Sequence, residues 1–238
     1  MTDAPAPGHL PAPPWRSDAH PRRRLDRESI GREALRIIDA EGIDAVSMRK
    51  VAAAFDTGPA SLYAHVANKE ALLRLAFDLA LEELEPVPTQ ADDWQAVMLR
   101  WSLGVHEMLQ RHNDIAKLTF AHIPSGEAML ESTERVLGLM IGAGVPPQVA
   151  AWSLDILSLY IGADAYEGWL FGQRFGTEDA AKAEEFFGGI GAYFASLPVD
   201  RFPHIVGNVD VLMEGGGEER FRFGLDMFIA GIASTIKR

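Results

Sequence analysis

The sequence predicts an all-α protein, and three observations support this fold class. Apolar residues recur with helical spacing in every periodic segment from Leu25 onwards. No segment shows the strict alternation of apolar and polar residues that is typical of a β-strand. Residues that favour helix starts, such as Ser47, Asn68 and Pro147, separate the segments. The 238 residues are enough for one large domain or two small ones.

Four helices are predicted in the N-terminal part of the chain. They are expected at residues 25–41, 48–55, 59–66 and 69–84. Ser47 and Asn68 are suitable N-caps for the second and fourth helices. Pro59 suits the first position of the third helix, where its missing N–H costs nothing.

The rest of the chain also has helical periodicity. Helices are expected at residues 92–112, 126–141, 147–171, 177–197 and 218–237, with a looser stretch at 198–217. Two of them, 147–171 and 218–237, are apolar on more than one face, so each is expected to be buried all round. The second face is predicted to contact another subunit, although a central core helix within one monomer has the same pattern. The residues expected at this dimer interface are Leu157, Ile161, Leu225, Phe228 and Ile232.

Composition excludes several classes of protein. Hydrophobic residues make up 47% of the chain and charged residues 24%, which excludes a fibrous or wholly disordered protein. The absence of cysteine excludes a disulfide framework, a thiolate metal site and a cysteine nucleophile. Neither a secretory signal nor a run of ~18 uncharged apolar residues is present, so we expect a cytoplasmic protein with no membrane partner.

Charge is distributed unevenly along the chain. The net charge is −12, yet residues 1–70 contain ten basic and ten acidic residues, so the remainder carries the whole excess. Seven arginines lie within residues 16–36. A basic arm on an acidic body is typical of a protein that contacts nucleic acid at one end, but an arginine-rich solvated tail has the same composition. Residues 1–23 are rich in proline and arginine and are predicted to form a disordered arm.

Residues 47–66 have the spacing of a helix-turn-helix, in which the second helix enters the DNA major groove. An ordinary helical hairpin, with Leu62 and Val66 in its core, has the same spacing. Small side chains in this segment allow a close approach to bases, and polar side chains provide donors to phosphates or guanine. The predicted DNA contacts are Arg49, Thr57, Pro59, Ala60, Ser61, Tyr63, His65 and Lys69.

Residues 27–84 resemble the N-terminal domain of the tetracycline-repressor (TetR) family. The matching words are Ala34-Leu35, Glu41-Gly42-Ile43, Ser47-Met48-Arg49, Val51-Ala52, Ala60-Ser61-Leu62-Tyr63, His65-Val66 and Asn68-Lys69-Glu70-Ala71-Leu72-Leu73. A weaker match at residues 223–232 resembles the family's regulatory domain. Asp56 departs from the pattern, since the family usually has glycine there, but aspartate tolerates a left-handed turn better than most residues.

The resemblance implies a homodimeric transcription regulator. Residues 24–84 then form the helix-turn-helix DNA-binding domain, and residues 90–238 form a helical domain for ligand binding and dimerisation. Double-stranded operator DNA and a small-molecule effector are the implied partners. Arg49, Pro59, Ala60 and Tyr63 fall on the family's base-facing positions, whereas His65 and Lys69 fall on backbone-contacting ones. We expect a repressor that releases DNA when a small apolar effector binds; a transcriptional activator and a helical interaction protein without an effector are the alternatives.

The effector pocket is the part that the sequence determines least. Aromatic and polar residues of the C-terminal helices are candidates to line it, although each aromatic fits a plain core position equally well. The predicted pocket residues are Trp101, His106, Phe120, Trp152, Tyr160 and Asp164, with His122 and Asp155 as further polar candidates. Lining up the family pattern puts Thr119 on the position of the histidine that binds the magnesium–tetracycline chelate, so the effector is expected to be recognised without a metal.

Enzyme motifs are incomplete in this sequence. His106-Glu107 begins like a zinc-protease helix, but Gln110 stands where the second histidine is required. The glycines at 188–191 lack the strand and the Gly-Lys-Ser/Thr of a phosphate loop. We therefore expect neither an enzyme nor a cofactor.

Overall fold

The computed structural model describes residues 24–120, 125–176 and 180–237. These residues form eleven α-helices and two short 3₁₀ segments, and no strand occurs among them. The all-α prediction is confirmed. The predicted arm at residues 1–23 and the candidate His122 lie outside the described residues.

The N-terminal head consists of four helices. They are α1 (Arg27–Glu41), α2 (Met48–Ala53), α3 (Pro59–Leu62) and α4 (Lys69–Leu81). Ser47 accepts a hydrogen bond from the Lys50 backbone N–H, and Asn68 accepts one from Ala71, so both predicted caps are confirmed. The third and fourth helices are shorter than predicted, since α3 continues only as a turn and α4 stops before residue 84.

The turn between α2 and α3 depends on Asp56. Its φ of 51° lies in the left-handed region, which most non-glycine residues avoid. Aspartate is among the few side chains that tolerate this conformation. The departure from glycine at this position therefore leaves the turn geometry intact.

The core of the head lies between α1 and α4, with α2 and α3 covering one side. Ile30, Ile38, Val51, Leu62 and Leu72 are fully buried in it. Burial of each such side chain stabilises the fold by roughly 1.5–3 kcal/mol. This packing fixes the outward faces of α2 and α3.

The C-terminal body contains seven helices. They are α5 (Trp94–Arg111), α6 (Glu127–Gly142), α7 (Pro147–Phe175), α8 (Ala180–Ala195), α9 (Pro203–Val206), α10 (Val209–Met213) and α11 (Gly217–Ala233). A 3₁₀ segment, Ile115–Thr119, follows α5. The stretch predicted to be loose contains the two short helices α9 and α10.

The body is packed around α7, which contacts α5, α6, α11 and the Ile115–Thr119 segment. Helices α8, α9 and α10 pack mainly on one another, and none of their described residues is buried. Within the described ranges, no helix is long and apolar enough to cross a membrane.

Candidate DNA interface and effector cavity

The predicted DNA contacts lie on the outer surface of α2, α3 and the turns beside them. Tyr63 is 57% exposed, and Arg49 and Lys69 are also exposed. Pro59 and Ala60 are exposed at the start of α3. The remaining three are half-buried: Thr57, Ser61 and His65.

Two observations show how α3 is held. Leu62 and Val66 are buried beneath it, so the core role that a plain hairpin requires is present together with the exposed polar face. The Thr57 and Ser61 hydroxyls lie 2.7 Å apart and hydrogen bond to each other. This bond braces the turn that leads into α3.

The charges of the head separate into paired and unpaired groups. Lys50 is paired with Glu41. Arg49 and Lys69 form no ion pair with another described residue, so both are available to phosphates or bases. Arg27 Nη1 donates to the His65 carbonyl at 3.2 Å, which places a further cation beside the end of α3. In the sequence, Arg27 is one arginine of a basic stretch, and no pattern indicates that it lies beside the end of α3.

An apolar cavity of about 320 Å³ lies in the body, which is within the usual range for small-molecule sites. Helices α4, α5, α6 and α7 and the Ile115–Thr119 segment form its walls. Its apolar lining is Phe77, Leu81, Trp101, Val105, Leu109, Met129, Leu137, Ala151, Leu154 and Ile161. Its polar lining is Thr119, Ser132, Thr133, Asp155 and Ser158.

Only some of the predicted pocket residues lie in this cavity. Trp101 lines it, as does Asp155. Trp152 is 65% exposed and does not line this cavity. Phe120 is 38% exposed and packs edge-on against Tyr166, with 6.0 Å between ring centroids.

Three other predicted pocket residues meet in a separate cleft between α5, α7 and α11. His106 Nε2 lies 2.7 Å from Asp164 Oδ2, and the His106 ring stacks on Phe221. The Tyr160 hydroxyl donates to the Phe221 carbonyl at 3.2 Å. Burial raises the pKa of Tyr160, and the charge of Asp164 adds to this effect. These contacts fasten α11 to α5 and α7, so the three residues tie the body together away from the apolar cavity.

Sequence reasoning missed most of the cavity lining. Phe77 and Leu81 come from α4, which had been assigned to the DNA-binding domain. Leu154, Ser158 and Ile161 follow one another at helical spacing along α7. The helical spacing of these residues is present in the sequence. Because α7 is apolar on several faces, however, no pattern distinguishes the cavity face from the others.

The head and the body are joined by polar contacts. The Asp114 carboxylate accepts a hydrogen bond from the Ile43 backbone N–H at 2.7 Å and one from Lys117 Nζ at 2.6 Å. His112 lies with Nδ1 2.8 Å from Asp39 Oδ1 and Nε2 3.1 Å from Glu83 Oε1. The joint therefore connects α1 with the segment that leads into the cavity wall.

Asp78 makes a second connection, between α4 and α6. Its carboxylate accepts hydrogen bonds from the backbone N–H groups of Ala128 at 3.2 Å and Met129 at 3.0 Å. A carboxylate at a helix N-terminus is favourable for both hydrogen bonding and the helix dipole. Gly126 leaves room for it, because a Cβ there would overlap the carboxylate.

The predicted dimer contacts require a correction. Leu157, Ile161, Leu225 and Ile232 are buried against the helices of their own subunit, so they are not available to a second chain; Phe228 is half-buried. Both helices do have a second apolar face, as predicted, but other residues form it. The exposed apolar residues are Trp152, Ile156 and Leu159 on α7 and Phe223 and Met227 on α11.

Metal ligands do not cluster in the described parts of the chain. No group of three or more His, Cys, Asp or Glu side chains among these residues is arranged to hold a metal ion. Thr119 lies in the cavity wall.

Comparisons with known proteins agree with this geometry. A family model described as "Tetracyclin repressor-like, C-terminal domain" matches residues 85–236, and one described as "Bacterial regulatory proteins, tetR family" matches residues 30–76. The class G tetracycline repressor of Vibrio anguillarum is 25% identical over 210 residues, covering 87% of this chain and 93% of its own. The Streptomyces coelicolor TetR family protein ActR, solved in complex with actinorhodin, is 34% identical with a TM-score of 0.80, covering 90% of this chain and 98% of its own.

Proposed function

Since the chain belongs to the tetracycline-repressor family of bacterial transcription regulators, we propose that it represses a promoter by binding operator DNA and releases that DNA when a small apolar effector fills the α4–α7 cavity. The chain is a ligand-responsive DNA-binding regulator, and its family is one of regulators rather than enzymes. We further propose that the chain has no catalytic activity and acts in the cytoplasm, where the operator DNA is found.

The observation that carries this proposal is the double use of α4. Its first residue, Lys69, is a candidate DNA contact just after α3, while Phe77 and Leu81 near its end line the cavity. A 13-residue helix spans about 20 Å as a stiff rod. A molecule that fills the cavity therefore presses on the helix that carries the DNA-contacting surface.

Hydrogen bonds around α4 and the head connect the cavity walls to the DNA-binding part of the chain. Asp78 fixes α4 to the start of α6, and Met129 in that first turn also lines the cavity. Asp114 fixes the head to the Ile115–Thr119 segment, whose last residue is in the cavity wall. An effector that moves α6 or this segment consequently shifts the head relative to the body.

The likeness to ActR supports an organic effector for this chain. ActR was solved with actinorhodin, and its sequence identity to this chain is 34% over nearly its whole length. We propose that the effector here is bound without a metal, because the hydroxyl of Thr119 is a poor substitute for an imidazole ligand of a divalent cation.

Dimerisation follows the family, and we propose its surface from the exposed apolar residues. Trp152, Ile156 and Leu159 are exposed on α7, and Phe223 and Met227 are exposed on α11. Large exposed apolar side chains of this kind support an interaction site on these two helices. Two heads in one dimer then address a pseudo-palindromic operator with half-sites about 34–36 Å apart or a multiple of that. The domain limits that we propose are residues 24–84 and 90–238.

The test is specific binding to the DNA upstream of the gene, measured by fluorescence anisotropy. Arg49→Ala should relax discrimination at one base pair by ~1–3 kcal/mol, because a bidentate guanine contact is lost. Deletion of the gene should raise transcription from the bound promoter; a fall would instead identify an activator. If the wild-type protein forms no specific complex with this DNA, a helical interaction protein becomes the better interpretation.

A further inference from the structure

Three of the four cavity hydroxyls offer acceptors rather than donors. Thr119 Oγ1 donates its hydrogen to the Ala116 carbonyl, Thr133 to the Met129 carbonyl and Ser158 to the Asp155 carbonyl, each at 2.8 Å. A hydroxyl has one hydrogen and two lone pairs. Because a carbonyl only accepts, all three hydrogens are committed to the backbone, and only the oxygen lone pairs remain for a ligand.

The other polar groups of the lining extend this pattern. The Asp155 carboxylate is a further acceptor. Two donors remain: the Ser132 hydroxyl and the Trp101 indole N–H, which is buried and has no partner among the described residues. A buried donor without a partner costs roughly 1–3 kcal/mol, so an acceptor on the ligand that reaches it is favoured.

Among the described residues, the cavity lining lacks positive charge. None of the lining residues in this part of the chain is Lys, Arg or His, and the one ionisable group among them, Asp155, is an acid. An anion placed there has no cation among these residues to compensate its lost hydration. Arg135 is nearby but lines an outer groove, where it donates to the Val87 carbonyl at 3.4 Å.

From these three observations we infer that the effector is a ring compound without negative charge, with several hydroxyl donors and at least one acceptor, of the polyphenol type, and that carboxylate-bearing molecules are excluded. This inference rests on the proposed function, because it takes the cavity as the effector site. The apolar walls hold the rings, the Thr119, Thr133 and Ser158 oxygens accept from the ligand hydroxyls, and the Trp101 N–H meets the acceptor.

Matched probes test the inference directly by isothermal titration calorimetry on the full-length protein. The first set is resveratrol, its trimethyl ether and stilbene carboxylate, which share a skeleton but differ in donors and charge. The second set is apigenin with its trimethyl ether. The phenols should bind about tenfold tighter than their ethers, since each ether replaces donors with acceptors alone. The carboxylate should show no binding.

Variants of one cavity hydroxyl locate the effect. Thr133→Val should weaken phenol binding about five- to tenfold and leave ether binding unchanged, whereas Thr133→Ser should keep the phenol affinity. Thr235→Val is the matched control, because Thr235 also donates to a helix carbonyl, that of Ile232, but lies outside the cavity. If Thr133→Val melts well below the wild type, Ser158→Ala makes the same comparison.

The inference is overturned if an ether or the carboxylate binds as tightly as its phenol, or if no phenol binds. Operator binding is measured separately by anisotropy. A protein that binds its upstream DNA but prefers the ethers keeps the proposed function and loses this effector class. A protein that binds phenols but not its upstream DNA keeps this effector class and loses the proposed function.

Discussion

Asp114 is the side chain on which the joint between head and body depends most, and its removal makes a quantitative test. Asp114→Ala leaves the Ile43 N–H, which is buried, without its acceptor at 2.7 Å, at a cost of roughly 1–3 kcal/mol. Lys117 also loses its partner, but it is partly exposed, so that pair adds at most about 1 kcal/mol. The expected loss is therefore about 1–4 kcal/mol.

Urea denaturation and thermal melting at pH 7 and fixed protein concentration measure this loss. Each kcal/mol is worth about 2–4 °C in a chain of this size, so the melting temperature should fall by about 2–16 °C. The hydrogen bond to Asp114 raises the pKa of Lys117. Its contribution is thus complete at neutral pH and is lost only as the pH rises through the folded-state pKa.

Asp44→Ala is the matched control for Asp114→Ala. Asp44 is 96% exposed and lies 3.9 Å from the same Lys117 ammonium, so its removal should change the melting temperature little. If the two variants lose equal stability, the buried bond to Ile43 is not what holds the joint, and the reasoning fails. Asp114→Asn retains an acceptor for Ile43 and should fall between them.

Four further predictions concern the two sites and the dimer. Tyr63→Ala and Lys69→Ala should weaken operator binding in anisotropy without lowering the melting temperature, and loss of Lys69 should reduce the salt slope by about one. Trp152→Glu should give folded monomers by size-exclusion chromatography; a stable dimer would place the interface elsewhere. Gly162→Ala should cost roughly 1–3 kcal/mol in urea denaturation, because the new Cβ would lie 2.9 Å from Thr119 Cβ. Magnesium with tetracycline should neither raise the melting temperature nor release DNA, whereas a chelator-sensitive change would require a metal site.

Local chemistry made the head predictable from sequence. The Ser47 and Asn68 caps, the Pro59 helix start and the left-handed Asp56 turn all act within a few residues of the chain. One cap was missed: Asp26 accepts from the Ser29 N–H at 2.9 Å, and hydrogen bonds from Ser29 lower the pKa of its carboxyl. Short-range rules of this kind identify a helix start but leave its first residue uncertain by one or two positions.

Long-range contacts explain why the cavity could not be predicted. Trp101 and Trp152 look equally suitable in sequence, yet one lines the cavity and the other is on the outer face of α7. The difference depends on how α7 is rotated against α5 and α6, and a helix that is apolar all round does not record that rotation in its pattern. The bond between Asp114 and Ile43 spans 71 positions and has no local signature.

The proposed sharing of α4 between the two sites has a consequence for the cell. If an effector lowers the affinity for DNA by some factor, operator DNA must lower the affinity for that effector by the same factor, because the two bindings close one thermodynamic cycle. Coupling in such systems typically amounts to about 1–3 kcal/mol, or roughly 5- to 150-fold. Regulator molecules that are bound to operators therefore respond at higher effector concentrations than free regulator molecules do. Regulator that is not bound to DNA binds the first effector molecules. The effector concentration at which transcription begins therefore rises with the amount of regulator that the cell makes.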